Sequence, residues 1–290
     1  MTKEVQIFDS SLCILGEGPI WHDGRKSLIW FDIIGRQILE KSLNQEVARK
    51  MKFGSYLSAA GIINEKQLFL ATSEALGVLD IETGEFKTKI GLEEENSSTR
   101  SNDGRTDPQG GFWIGTMGIR MQHEAGAIYR YFKGELRKLY DRITVPNSIC
   151  FSPCGKTAYF TDTVPGKIFR VRLDSAGWPL SEPELFINCR EKDLNADGSV
   201  IDKDDCLWNA QWGASRVARY DQSGNLLMTI EIDAPQTSCP AFGAINLSTL
   251  FITTARDGMS EHDLEMAPLS GSTFKVSTDF VGQKENRVLL

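Results

Sequence analysis

A short apolar stretch, a turn residue, and then a run rich in aromatic and β-branched side chains recur six times along the 290 residues. The six first stretches read GPIWHD, AGIINE, DGRTDP, SICFSP, GSVIDK and FGAINL. Their turn positions are Asp23, Asn64, Asp107, Ser152, Asp202 and Asn246, at intervals of 41, 43, 45, 50 and 44 residues. The second runs (SLIWFD, QLFLAT, GFWIGT, TAYFTD, CLWNAQ, TLFITT) and third runs (GRQILEK, GVLDIE, GAIYRY, GKIFRV, SRVARY, STFKVS) match as well. Runs of this kind bounded by Gly, Asn, Asp and Pro are strand-like. Long helical periodicity is absent, and only residues 92–98 and 257–266 have room for a helical turn.

Three or four short strands every 40–50 residues fit one blade of a β-propeller, and one blade cannot bury both faces of its sheet alone. The expectation is an all-β, six-bladed β-propeller, one domain over residues 1–290, with the segment 5–10 pairing into the last blade to close the ring. A pair of β-sandwiches or a β-helix is the competing architecture, but sandwiches rarely yield six matched units.

In a propeller the innermost strands start around one mouth of the central channel, so residues at one repeat phase converge there. Five or six positions before each turn marker stand Glu17, Ser58, Asn102, Asn147, Asp197, and Pro240 or Ala241. Carboxylates and amides are hard oxygen ligands suited to Ca²⁺, Mg²⁺ or Mn²⁺, and Zn²⁺ remains possible although it favours His and Cys. Each residue alone has a structural explanation: NDG and ADG are turn signals, Asn147 follows Pro146, and Glu17 lies between glycines. Their shared phase in the repeat favours a common site. The three histidines (His22, His123, His262) form no H-x-x-x-H pair and give little support to a Ser-His-Asp triad. Asp32 and Asp162 read as structural. Trp21, Trp30, Trp113 and Trp208 read as blade packing, as does His22. Trp212 fits packing and pocket lining equally.

Four segments resemble the SMP-30/gluconolactonase family, which includes regucalcin and bacterial sugar lactonases. They are GEGPIW (16–21), RSNDGRTDPQGGFWIGTM (100–117), VPNSICFSPCGKTAYFTDT (145–163) and ADGSVIDKDDCLW (196–208). The resemblance spans about residues 15–254 and implies a six-bladed propeller with one divalent metal ion in its channel. It implies Glu17, Asn147 and Asp197 as metal ligands, Asp197 also as general base, and Arg100 and Asn102 as contacts to substrate hydroxyls or ring oxygen. Between Met117 and Gly126, where some relatives carry a substrate-contacting acid, this chain reads GIRMQHEA, which aligns Gln122 with the acid and leaves Glu124 nearby.

The chemistry suits opening of a sugar lactone to its aldonic acid: the ion polarises the carbonyl, and a carboxylate or a water on the ion serves as base. Hydrolysis of organophosphates or aryl esters, and non-catalytic calcium binding, are the alternatives. The formal charge of −7, with no basic block, argues against nucleic acid and anionic membranes as partners. No run reaches the roughly 18 apolar residues of a membrane span. The start, MTKEVQIFDSS, lacks the apolar core of a secretory signal. Six cysteines without a C-x-x-C pair read as reduced thiols, and Cys154 in its turn shows no sign of being a nucleophile. The expectation is a cytoplasmic enzyme, monomeric because propellers expose few strand edges.

Overall fold

The computed structural model describes residues 4–290 and contains six four-stranded antiparallel sheets. The inner strands are Gly16–His22, Leu57–Ile62, Thr99–Thr106, Pro146–Phe151, Asn195–Ile201 and Thr237–Gly243. Each packs against the inner strands of the blades before and after it, and the first meets the sixth, so the ring closes. Closure also joins the two ends of the chain: the strand Gln6–Asp9 pairs antiparallel with Thr273–Ser277 and forms the outer edge of the sixth blade. Every residue of five inner strands is buried, and in the remaining one only Asn195 is half-buried. With both faces covered, these strands bury polar as well as apolar side chains, Arg100, Asn102, Asp103 and Arg105 of Thr99–Thr106 among them.

The core lies between blades. Ile20, Ile29 and Phe31 of blade one pack with Leu57, Leu68 and Leu70 of blade two. Trp208 and Ala210 of blade five pack with Phe242, Leu250 and Phe274 of blade six. Trp30, Trp113 and Trp208 are fully buried, in keeping with a packing role.

Two of the six turn markers do more than turn the chain. Asp107 accepts hydrogen bonds from Gln109 N and Gly111 N at Oδ1, and from Trp113 Nε1 (3.1 Å) and Arg130 Nε (2.6 Å) at Oδ2. Asp202 repeats the arrangement with Asp204 N, Cys206 N, Trp208 Nε1 (2.9 Å) and Arg219 Nε (2.8 Å). One carboxylate thus ties the turn, the second strand and the third strand of its blade together. Asp32 and Asp162 are likewise structural: Asp32 accepts from Ile14 N, Leu15 N and Gly35 N, and Asp162 from Thr144 N and Val145 N.

The C-terminal segment 279–290 crosses the ring at the ends of the inner strands. Gln283 Nε2 donates to Phe151 O and Ile201 O, Asn286 Nδ2 to Thr106 O, and Val288 N to Ile62 O. Gly282 N reaches Leu247 O, and Lys284 pairs with Asp23, so the segment touches all six blades. It also inserts the half-buried Glu285 against the buried Arg105 at 2.8 Å. This mouth of the channel is covered, and access is left at the opposite mouth, where the inner strands begin. Of the two segments with room for a helical turn, 257–266 contains the helix Glu261–Met266, held by a Ser260–Asp263 capping box, and 92–98 forms turns. No helix among the described residues is long and apolar enough to cross a membrane.

Removing one member of a buried, fully bonded ion pair leaves the other charge stranded and costs about 3–5 kcal/mol. Asp202→Ala should lose that much stability in equilibrium urea unfolding. Asp204→Ala, whose carboxylate is 68% exposed, should change stability by no more than about 0.5 kcal/mol.

Candidate functional site

All six inner strands carry a one-residue register shift against their second strands, at the same place in each blade. Such a bulge twists the strand and re-aims its side chains. Glu17 and Asn147 are the last paired residues before it, whereas Asn102 and Asp197 lie within it. The bulge is what lets residues one register position apart share one mouth. Immediately after Glu17 and Asn147 the backbone turns left-handed, at Gly18 (φ 54°) and Ser148 (φ 59°). A Cβ at Gly18 would stand 2.4 Å from Ser58 O, so only glycine fits. Ser148 tolerates the conformation because its hydroxyl bonds across to blade five, at Asp197 O and Ser199 Oγ.

Small hydroxyls stitch neighbouring blades at this level: Ser58 Oγ donates to Ser101 Oγ, and Ser238 Oγ to Gly16 O. A longer chain crosses three blades. Arg100 Nη1 donates to Asn102 Oδ1 (2.8 Å), Asn102 Nδ2 to Asn147 Oδ1 (2.9 Å), Asn147 Nδ2 to Thr163 Oγ1 (2.9 Å), and Thr163 Oγ1 to Ala196 O (2.7 Å). This chain fixes the Asn147 amide with its oxygen toward the cavity side of Asn102 and leaves one lone pair of that oxygen unused.

The cavity at this mouth is about 380 Å³ and is lined by Glu17, Arg100, Asn102, Asn147 and Asp197. Leu15, Met117, Val145, Val164 and Trp212 supply its apolar wall. Glu17 and Asp197 are buried, and neither has an ion-pair partner among the described residues. Burial, and then the charge of Asp103, push Glu17 up to about 8, against the pull of Gly18 N and Arg100. Burial, then Glu17, then Asp103, hold Asp197 well above the ordinary carboxylate range. Burial lowers the proton affinity of Arg100, while Glu17 and Asp257 act in the opposite sense.

Two buried carboxylates without an ion-pair partner, beside an amide oxygen with a free lone pair, form a donor set that fits a hard divalent ion. Glu17, Asn147 and Asp197 are the residues that would hold it, with solvent completing the sphere.

The structure brings together five of the six residues that the sequence singled out. Gln122 is the exception. It is exposed and folds back to accept from Arg120 N at 3.0 Å, outside the cavity lining. Met121 takes the rim position instead, and Glu124 is tied to Arg142 at 2.7 Å. Asn102 lines the cavity, with its Nδ2 bonded to Pro146 O and Asn147 Oδ1. Trp212 lines the cavity.

Sequence reasoning missed Asp103, a buried carboxylate inside the third bulge. It accepts from Ile149 N at 2.7 Å and is raised by burial to about 6. The signal was present in NDG, where the acid read as part of a turn. Asp257 and Gln236 were missed because they lie outside the repeat phase.

Residues 15–256 match the SMP-30/Gluconolactonase/LRE-like region. The chain belongs to the SMP-30/gluconolactonase family. Within it, a Rhizobium meliloti (strain 1021) protein bearing a sugar lactone lactonase name is 39% identical over 93% of this chain and 92% of its own length. An L-arabinolactonase of Azospirillum brasilense is 31% identical over 94% of this chain and 91% of its own. The crystal structure of a calcium-binding regucalcin from Agrobacterium tumefaciens superposes with a TM-score of 0.97 at 36% identity, covering 99% of this chain and 98% of that one.

The pH dependence of the metal-free protein follows from Glu17. Its folded-state value near 8 stands above the ordinary 4.5, so the stability it contributes is complete below 4.5 and is lost as pH rises toward 8. Glu17→Gln should therefore raise the melting temperature of the chelator-treated protein at pH 8 and leave it unmoved at pH 4.5. Added Ca²⁺ or Mn²⁺ should stabilise the unsubstituted protein at pH 8 and the Gln variant much less.

Proposed function

We propose that the chain hydrolyses a sugar lactone to the corresponding aldonic acid at this cavity. The observation that carries the reading is the pair of buried carboxylates, Glu17 and Asp197, without a counter-charge, in a cavity that also holds Arg100. Family membership and the lactonase names of its relatives support it.

A divalent ion held by Glu17, Asn147 and Asp197 would supply Lewis acidity toward the lactone carbonyl. The protein does the rest. Arg100 keeps one guanidinium nitrogen on Ser101 O and Asn102 Oδ1, and its remaining N–H groups, without partners among the described residues, bind ring or hydroxyl oxygens of the substrate. Leu15, Val145, Val164 and Trp212 pack against the carbon skeleton and exclude bulk water. The carboxylate of Asp197 takes a proton from the attacking water as its oxygen bonds to the carbonyl carbon. The same proton is delivered to the ring oxygen as the ring C–O bond breaks, so water and lactone become one hydroxy acid. Cys239 and Cys150 do not act as nucleophiles, since burial pushes both thiols up. The six unpaired cysteines support work in a reducing, cytosolic setting.

Asp197→Asn and Glu17→Gln should each lower kcat/KM for an aldonolactone by about 10³ or more, with the circular dichroism spectrum retained. The assay panel should include phenyl acetate and a phosphotriester. Turnover of these in preference to every sugar lactone, or full activity of either variant after chelator treatment, would overturn the reading.

A further inference from the structure

Arg100, Asn102, Met117 and Met121 come to the cavity from blade three, and Asn147, Thr163, Asp197 and Trp212 from blades four and five. Blade one adds Leu15 and Glu17, and the sixth blade completes the lining through Gln236, just before its inner strand, and Asp257, just after its second strand. The two are joined: Gln236 Nε2 donates to Asp257 O at 3.1 Å. The backbone beneath them is pinned, with Ala255 N on Gln236 O and Arg256 N on Ile14 O, both at 2.9 Å. Gln236 Oε1 is buried and has no hydrogen-bond donor. The Asp257 carboxylate is exposed, makes no hydrogen bond or ion pair among the described residues, and is felt by the Arg100 guanidinium.

A buried amide oxygen without a donor is costly unless a ligand supplies one. Arg100 and Asp257 line one cavity without pairing, and the Arg100 N–H groups not held by Ser101 O and Asn102 Oδ1, together with the Asp257 carboxylate, suit a ligand that bonds both. Polyhydroxylated lactones carry the needed O–H groups. Charge adds a second requirement. Among the described residues, Arg100 is the only cation in the lining, against Glu17, Asp197 and Asp257. A divalent ion would offset the two buried carboxylates and leave Arg100 and Asp257 as opposed charges at the mouth.

Resting on the lactonase reading, we infer that Gln236 and Asp257 form a substrate-selecting arm on blade six. It accepts hydrogen bonds from lactone hydroxyls and disfavours lactones that carry an anionic substituent. It also supplies the acidic rim contact that Gln122 does not.

Two variants test it in the metal-loaded enzyme. Asp257→Asn removes one negative charge from the mouth and should raise kcat/KM for a 6-phosphorylated aldonolactone, relative to the neutral lactone, about five- to tenfold at low salt. The gain should shrink at high salt, because the carboxylate is exposed to the ion atmosphere. A ratio that does not move, or that moves equally at both salt concentrations, would overturn the charge selection. Gln236→Met, near in volume but without the amide, should raise KM for the hydroxylated lactone roughly tenfold while changing that for unsubstituted butyrolactone little. Equal effects on both lactones would overturn the hydroxyl contact. Absence of turnover of every lactone by the unsubstituted enzyme would instead overturn the lactonase reading, and the arm with it.

Discussion

Burying two carboxylates in one cavity is unfavourable, and among the described residues neither finds an ion-pair partner. Glu17 and Asp197 come from blades one and five; the charge of Glu17 makes ionisation of Asp197 harder, and that of Asp103 acts on both. Their one nearby cationic side chain, Arg100, is anchored to Ser101 O and Asn102 and forms an ion pair with neither. A fold keeps such an arrangement when a ligand resolves it. Much of the architecture serves to hold this unstable centre. The bulge in every inner strand aims the side chains inward, and the left-handed turns at Gly18 and Ser148 fix the two side chains that precede them, Glu17 and Asn147. The chain from Arg100 through Asn102, Asn147 and Thr163 to Ala196 locks blades three, four and five in register around it.

The other end of the channel is handled differently. There the segment 279–290 bonds to the last carbonyls of the inner strands and buries the Arg105–Glu285 pair. The acid at that end has its base, and the acids at the open end do not. The contrast separates a structural plug from an open mouth within one channel.

The sequence made the ring legible because its signal is periodic: turn markers, second strands and third strands recur at nearly constant intervals. The convergence of Glu17, Asn102, Asn147 and Asp197 followed from their phase in that repeat, before any coordinates. The motif around Arg100 carried that residue. What escaped was aperiodic. Gln122 lies in an irregular turn between strands, where counting positions from a motif does not give direction, and its side chain folds onto Arg120 N. Asp257 follows the last regular residue of a strand and precedes a short capped helix, with no counterpart in other blades. Asp103 stood one residue beyond the expected phase, and the bulge that buries it is invisible without strand pairing. The two carboxylates that hold Trp113–Arg130 and Trp208–Arg219 looked like ordinary turn residues, because their partners lie a strand or two away.

Anomalous diffraction from crystals grown with Mn²⁺ addresses the central claim directly. One strong peak on the channel axis, within coordination distance of oxygens from Glu17, Asn147 and Asp197, is the expected result. Peaks confined to surface carboxylates, with density showing those three side chains turned away from a common point, would contradict it.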